Sequence, residues 1–179
     1  PPRSPPPTPA PHSTPDGSVV FDLDNTVYPP AARLFDQSER RMTGHVMGAL
    51  SVPKEEANRL RAHYWKLYGT TLAGLMHEHG LDPAPYLVDV HDISLDRLKP
   101  DPALSAAIHA LPGRKVVYTN GSAPYAERVL SARGLTGAFD AIFGVEHAGH
   151  RPKPERQAFE PVPATAGTAP SRAAEFADG

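Results

Sequence analysis

Cysteine is absent from this chain of 179 residues, so disulfide bonds, thiolate metal sites and cysteine nucleophiles are excluded. The chain also has little net charge, because its 18 Lys and Arg nearly balance its 20 Asp and Glu, which gives a formal net charge of −2. That balance gives no electrostatic basis for binding a nucleic acid polymer or an acidic membrane. No apolar run approaches the roughly 20 residues of a membrane span, and the N-terminus lacks the apolar core of a signal peptide. We therefore predict a cytoplasmic protein with neither a membrane nor a nucleic acid polymer as partner.

Proline, by contrast, is plentiful, with 22 residues concentrated towards the two ends of the chain. Residues 1–17 consist mainly of Pro, Ser and Thr, and such a segment cannot bury enough apolar surface to offset its ordering entropy. We expect a disordered tail there. Residues 160–179 are rich in Ala and Pro, and Pro161 and Pro163 would interrupt a helix. We expect this end to be poorly structured and the C-terminal part of the fold to be missing.

The residues between these ends alternate in the manner of an α/β fold. Val19, Val20 and Phe21 form a short apolar run typical of a strand buried on both faces of a parallel sheet. The later pattern predicts helices at 102–110, 123–133 and from 154, and strands at 115–118, 139–143 and 173–176. Such alternation predicts a parallel sheet flanked by helices, with the chemistry beyond the carboxyl ends of the strands.

A helical block separates the first strand from the rest. Its apolar residues recur with a period near 3.6, which predicts helices at about 34–50, 53–69 and 70–79. The middle helix has an apolar stripe that we expect to pack inward: Ala57, Leu60, Tyr64 and Leu67. We predict a cap domain over 33–98, inserted into a core domain built from 18–32 and 99–179.

Paired acids directly follow the first strand, in the order Phe21-Asp22-Leu23-Asp24-Asn25-Thr26. Two carboxylates one residue apart can reach one site from a single loop, and oxygen ligands of this kind suit Mg²⁺. Acidic pairs in isolation more often serve turns or helix caps. The buried strand before this pair favours the functional interpretation.

Two further polar motifs follow later strands. Thr119, Asn120 and Gly121 offer a hydroxyl, an amide and backbone N–H groups, a good receptor for phosphate oxygens. Alone, the same residues would be an ordinary strand-to-helix turn. Lys153 lies between two prolines ahead of a predicted helix, and its ammonium could neutralise both a phosphate and a carboxylate. A solitary lysine is usually a solvated loop residue, so its significance depends on the other two motifs.

In order and spacing, these three elements resemble the first three motifs of the haloacid dehalogenase (HAD) superfamily. The opening Phe-Asp-Leu-Asp-Asn-Thr-Val-Tyr-Pro resembles its pyrimidine 5'-nucleotidase group, and the resemblance covers roughly residues 19–159. It implies a Rossmann-like core with an inserted helical cap. The family's dehalogenase branch replaces the second acid of the first motif, so the presence of Asp24 favours phosphoryl transfer.

The resemblance also implies roles for individual residues. Asp22 would be the nucleophile that forms an aspartyl-phosphate, and Asp24 the general acid and base. The phosphoryl group would be bound by Thr119, Asn120 and Gly121, and Lys153 would hold charge at Asp22. Mg²⁺ would be the cofactor, with three residues as its ligands: Asp22, Asp24 through its backbone carbonyl, and Asp178. Trp65, which lies off the apolar stripe, would stack on a nucleobase.

The implied reaction is hydrolysis of pyrimidine nucleoside 5'-monophosphates by a monomer or homodimer. Two alternatives stay open, namely a phosphatase for a sugar phosphate or other small metabolite, and an inactive remnant that only binds phosphate. The remnant alternative rests on the last motif, where Ala177 stands in the place of a customary Glu and the chain ends just after Asp178.

Overall fold

A computed structural model describes residues 18–153 and 173–176, and it contains a four-stranded parallel sheet in the order β3-β2-β1-β4. The strands have these bounds: β1 Ser18–Phe21, β2 Arg114–Tyr118, β3 Ala141–Phe143 and β4 Ala173–Phe176. Parallel neighbours require crossovers, and helices supply those from β1 to β2 and from β2 to β3. The predicted tail at 1–17, the helix expected from 154 and Asp178 lie outside the described residues.

Six helices belong to the described part of the chain: α1 Leu34–Leu50, α2 Lys54–Tyr68, α3 Thr71–His79, α4 Pro83–Val90, α5 Pro102–Ala110 and α6 Ala123–Ala132. The first five lie between β1 and β2 in sequence, and short 3₁₀ turns occupy Pro30–Ala32 and Val145–Ala148. This arrangement confirms the predicted α/β class with a parallel sheet flanked by helices.

The sheet is buried because its central strands are apolar on both faces. Val19 and Val20 of β1 and Val116 and Val117 of β2 are almost inaccessible to solvent. The main hydrophobic cluster joins β2, the segment after β1 and helix α6, and it includes Leu23 between the paired acids. Leu23 therefore anchors the loop, while the acids on either side of it face the carboxyl edge of the sheet.

A second hydrophobic cluster holds α1–α4 together. Its centre is Tyr64, which is 4% exposed and confirms the expected packing role. Tyr64 crosses α3 at Gly74, where an added Cβ would lie 2.3 Å from the tyrosine Cβ and Cγ. Leu67, in contrast, is 58% exposed, so its predicted place in the apolar stripe is wrong. The buried face of α2 includes positions 57, 60 and 64 but not Leu67.

Helix α4 lies within the predicted cap segment 33–98 but was not predicted as a separate element. Asp82 caps this helix by accepting a hydrogen bond from the Ala84 N–H at 3.0 Å, and Pro83 occupies its first turn. Proline is favourable there because the first N–H groups of a helix have no intrahelical acceptor. Among the residues with described positions, no helix is long and apolar enough to cross a membrane.

Candidate active site

The paired acids lie beyond the carboxyl end of β1, at the edge of the sheet where α/β proteins bind ligands. The chain turns immediately after the strand, since Thr26 and Val27 both donate backbone N–H groups to the Leu23 carbonyl, at 3.3 and 3.1 Å. Leu23 points into the core. Asp22 and Asp24 consequently line one cleft.

Asp22 is oriented through one of its two oxygens. Its Oδ1 accepts the Leu23 N–H at 2.8 Å and forms an ion pair with Lys153 Nζ at 3.0 Å. No hydrogen bond among the described residues uses Oδ2. One carboxylate oxygen is therefore held in place while the other stays available to a ligand.

Lys153 is positioned by the second motif. Its backbone N–H donates to Asn120 Oδ1 at 2.7 Å, and its ammonium also donates to the Tyr118 carbonyl at 3.0 Å. The structure thus brings Lys153, Asn120 and Asp22 together as predicted. The Asn120 side-chain carbonyl contacts the lysine loop, a positioning contact that the sequence did not indicate.

Asp24 is the more secluded acid. Its Oδ1 accepts hydrogen bonds from the hydroxyls of Tyr28 at 2.5 Å and Tyr125 at 3.2 Å. Burial raises the pKa of the Asp24 carboxyl above its ordinary value, and the nearby charge of Asp22 adds to this. The hydrogen bonds from the tyrosines and the charge of Lys153 lower the pKa but do not cancel the rise.

Both tyrosines remain hydrogen-bond donors at neutral pH. Burial and the charge of Asp24 raise the pKa of each phenol above its ordinary value. Since both hydroxyls bind Oδ1 of Asp24, a proton on this carboxyl belongs on Oδ2. Burial thus favours the protonated form of the second acid more than water would.

Thr119 and Gly121 form a tight turn at the end of β2. Thr119 is fully buried, and its Oγ1 accepts the Gly121 N–H at 2.9 Å. An added Cβ at Gly121 would lie 3.2 Å from a ring carbon of Tyr125 and 3.3 Å from both Thr119 Oγ1 and His91 Nε2. The glycine therefore keeps this wall of the cleft open, and Ser122 caps α6 directly behind it.

The cleft has a volume of about 680 Å³ and lies between the sheet edge and helices α1, α2 and α4. Its border includes Trp65 as well as Asp22, Asp24, Asn120 and Gly121. Trp65 is 70% exposed. All the residues predicted from the three motifs thus surround this space, apart from the more deeply buried Thr119 and Lys153.

His91 also borders the cleft, at the point where α4 ends. Its ring stacks on Tyr125 with centroids 4.3 Å apart and an interplanar angle of 8°, and its Nδ1 lies 3.1 Å from Ser122 Oγ. Burial lowers the pKa of His91 to about 4, and the charge of Arg128 acts in the same direction. His91 is therefore a neutral, polar part of the wall at physiological pH.

The oxygen donors at the end of β1 fit a hard cation. Carboxylate and backbone carbonyl oxygens are the ligands that Mg²⁺ prefers, and Asp22 offers an uncommitted oxygen close to the Asp24 carbonyl. No group of three or more His, Asp or Glu that could hold a metal ion occurs among the residues for which the structure gives positions. Asp178, the third predicted ligand, is not one of them.

Sequence reasoning missed Tyr28, Tyr125 and His91. Tyr28 was visible only as part of the first motif, four residues after Asp24, which is a turn-sized separation that brings its hydroxyl back to the acid. Tyr125 lies 101 residues from its partner, and His91 lies in a segment with no recognisable pattern. Such long-range pairings leave no local signal.

Residues 18–179 match the model of a hydrolase family described as haloacid dehalogenase-like hydrolase. The chain is also 28% identical over 152 residues to phosphate metabolism protein 8 of Saccharomyces cerevisiae. That match covers 79% of this chain and 46% of the yeast protein, so the chain spans about half the length of this relative.

Solved structures give weaker likenesses. L-2-haloacid dehalogenase of Xanthobacter autotrophicus with chloropropionic acid covalently bound is 20% identical, with 89% of this chain and 69% of that chain covered and a TM-score of 0.48. Magnesium-bound YfnB of Bacillus subtilis is 17% identical, with 92% and 78% covered and a TM-score of 0.49. At these values the likeness bears on neither substrate nor mechanism.

Proposed function

The chain belongs to the haloacid dehalogenase-like hydrolases, as its motifs predicted, and from that premise we propose that it hydrolyses a phosphate monoester with Asp22 as nucleophile. The observation that carries the proposal is the difference between two neighbouring acids. Asp22 forms an ion pair with Lys153 at 3.0 Å, whereas burial raises the pKa of the Asp24 carboxyl. A carboxylate that pairs with a lysine, beside a buried carboxyl group of raised pKa, is suited to separate nucleophile and acid roles.

In the first step, Oδ2 of Asp22 bonds to phosphorus as the bond from phosphorus to the leaving oxygen breaks. Asp24 gives its proton to that leaving oxygen, so an alcohol departs rather than an alkoxide. In the second step, Asp24 takes a proton from water, whose oxygen attacks phosphorus and frees Asp22 and inorganic phosphate. Lys153 neutralises negative charge at Asp22 throughout.

Mg²⁺ held by Asp22, the Asp24 carbonyl and Asp178 would supply positive charge that offsets the repulsion between a carboxylate and a phosphate. We propose that the Thr119 hydroxyl and the N–H groups at Asn120 and Gly121 bind the phosphoryl oxygens. The Gly121 N–H donates to Thr119 Oγ1 at 2.9 Å, which orients this hydroxyl and leaves its own proton to be donated.

For the substrate we propose a pyrimidine nucleoside 5'-monophosphate. A cleft of about 680 Å³ is large enough for a small ligand of this size, and Trp65 offers an exposed aromatic face. The name of the yeast relative, phosphate metabolism protein 8, agrees with phosphoryl chemistry. In this proposal 33–98 acts as a cap that selects the leaving group, over a core of 18–32 and 99–179.

The decisive test compares Asp22→Asn with Asp36→Asn, which removes a carboxylate of α1 that pairs with Arg33 outside the cleft. Phosphate release from uridine 5'-monophosphate in the presence of Mg²⁺ should be abolished by Asp22→Asn and retained in Asp36→Asn. It should also stop when EDTA removes the metal. Undiminished release by Asp22→Asn would disprove the assigned nucleophile.

A substrate panel separates the alternatives. Faster turnover of ribose 5-phosphate than of any nucleotide would favour a sugar phosphatase. Chloride release from 2-chloropropionate would indicate dehalogenation instead. Phosphate binding without turnover, and without Mg²⁺ binding in a calorimetric titration, would identify a remnant that binds phosphate.

A further inference from the structure

One face of α2 lines the cleft that the paired acids also border. Asn58, Arg61 and Trp65 are three and four residues apart, so their side chains leave the same side of the helix. All three border the cleft, as does Phe35 from the start of α1. Helices α1 and α2 thus bring two aromatic rings and two polar side chains to the border of the cleft.

The aromatic rings are unusually exposed for their size. Phe35 is 49% and Trp65 70% accessible to solvent, and both border the cleft. Exposed aromatic groups at the border of a concave site are suited to contact a planar ligand, since ring faces pack well at little cost in conformational entropy.

The polar side chains offer donors rather than acceptors. Asn58 Oδ1 accepts the Thr43 hydroxyl at 2.9 Å, so the part of the amide left without a partner in the described chain is its NH₂ group. Arg61 donates to Thr43 Oγ1 at 2.8 Å and to Glu39 Oε1 at 3.1 Å. Its Nε is buried and has no hydrogen-bond partner among the described residues.

An under-satisfied guanidinium at the border of a cavity is costly unless an acceptor arrives to complete it, because a buried donor without a partner loses its hydration. The Glu39 contact at 3.1 Å neutralises the charge but does not use the remaining N–H groups. Because Arg61 borders the cleft, a ligand bound there would bring an acceptor to this guanidinium.

We infer that Asn58 and Arg61 form a subsite that binds a carbonyl edge of the leaving group, with its ring placed against Trp65 and Phe35. The inference rests on the proposed phosphatase function and adds the atoms by which the leaving group is recognised. Glu39, an acceptor that also borders the cleft, already pairs with Arg61, so the subsite presents donors to the ring carbonyl that uracil and cytosine share. It disfavours adenine, which has no carbonyl and presents an exocyclic amine.

The test uses Arg61→Met, Asn58→Asp and the control Arg59→Met. Arg59 occupies the same helix and pairs with Glu56, but it does not border the cleft. With uridine 5'-monophosphate, Arg61→Met should raise KM about tenfold or more, because a hydrogen bond to the base is lost while the phosphoryl chemistry is retained. Asn58→Asp replaces a donor by an acceptor of the same shape and should act likewise.

Phenyl phosphate serves as the reference substrate because its ring has no carbonyl. For both subsite variants the loss of kcat/KM should be about tenfold larger with uridine 5'-monophosphate than with phenyl phosphate. Arg59→Met should match the parent protein on both. Equal losses on the two substrates, or a KM within about twofold of the parent in both variants, would overturn the inference.

Binding of uridine 5'-monophosphate to the Asp22→Asn protein, measured by calorimetry, provides a readout that does not depend on turnover. Weaker binding, seen as a higher Kd, when Arg61→Met is added would support the subsite even if the parent protein proved inactive. Adding Arg59→Met should leave the Kd unchanged. Turnover that depends on Asp22 but is indifferent to both subsite variants would leave the proposed function intact and the subsite refuted. Absence of any nucleotide binding or turnover would also refute it.

Discussion

Replacing Tyr28 by phenylalanine tests how the protein controls the proton of Asp24. The Tyr28 hydroxyl donates to Asp24 Oδ1 at 2.5 Å, and this hydrogen bond is the largest influence lowering the pKa of the carboxyl against the effect of burial. Without the hydroxyl, the ionised form of Asp24 loses more stabilisation than the protonated form. The Asp24 carboxyl should therefore have a higher pKa in Tyr28→Phe and stay protonated to higher pH.

The size of the effect follows from hydrogen-bond energies. A hydrogen bond to an ionised group contributes about 1.5–3 kcal/mol, and one between neutral groups about 0.5–1.5 kcal/mol. The difference is about 1 kcal/mol or slightly more, and about 1.36 kcal/mol corresponds to one pH unit in a titration. The alkaline limb of the pH profile should move upward by about one pH unit.

The assay is kcat/KM for phosphate release as a function of pH, which reports the ionisation of groups in the free enzyme. The proposed acid must be protonated, so activity falls as pH rises through the alkaline limb. Tyr125→Phe should move the limb in the same direction but less, because its hydroxyl is 3.2 Å from Oδ1. Tyr68→Phe, which removes a hydroxyl bound to Glu78 away from the cleft, is the control. A limb that moves downward, or stays in place in Tyr28→Phe, would refute the acid role of Asp24.

Three further predictions concern the fold. Gly74→Ala should lower the free energy of unfolding by about 1–3 kcal/mol in a thermal melt, because the added methyl group would overlap Tyr64. The control is Gly48→Ala, whose methyl group meets nothing within 4 Å and should stabilise α1 by up to about 1 kcal/mol. Arg133→Met should cost about 3 kcal/mol in chemical denaturation, since the buried guanidinium donates to two backbone carbonyls and a carboxylate. The depressed pKa of His91, about 4, means that the unfolded chain binds its proton first, so stability falls as pH drops from about 6.5 towards 4. His91→Phe should flatten that acid loss when melting temperatures at low and neutral pH are compared, and an unchanged slope would contradict the assigned burial.

The sheet was predictable from sequence because a strand buried on both faces must be apolar throughout. The run at 19–21 became β1, and the run at 115–118 became β2 with one more residue at its start. The strand predicted at 139–143 is shorter, beginning at Ala141, because Asp140 turns back to hold β2 through a hydrogen bond to the Lys115 N–H at 2.7 Å. A side chain that accepts from a neighbouring strand's backbone is invisible to periodicity.

The site was predictable only in part, for a related reason. Motifs identify groups that adjoin strand ends, so Asp22, Asp24 and Lys153 could be expected to meet there. The partners that set the properties of these groups come from elsewhere in the chain. Arg61, for example, is one of many charged residues on a polar helix, and only the packing of α2 against α1 shows that it borders the cleft.

Contacts between the end of α4 and helix α6 connect the helical segment α1–α4 to Asp24. Arg128 of α6 donates to the carbonyls of His91 at 2.9 Å and Ile93 at 3.0 Å, and so holds the exit from α4 against α6. His91 stacks on Tyr125 of the same helix, whose hydroxyl reaches Asp24. A shift of α4 would therefore disturb the hydrogen bond of Tyr125 before that of Tyr28, because Tyr28 belongs to the loop that carries Asp24. The Tyr28 hydroxyl therefore moves with the loop that carries the acid, and the Tyr125 hydroxyl moves with α6 and the end of α4 packed on it.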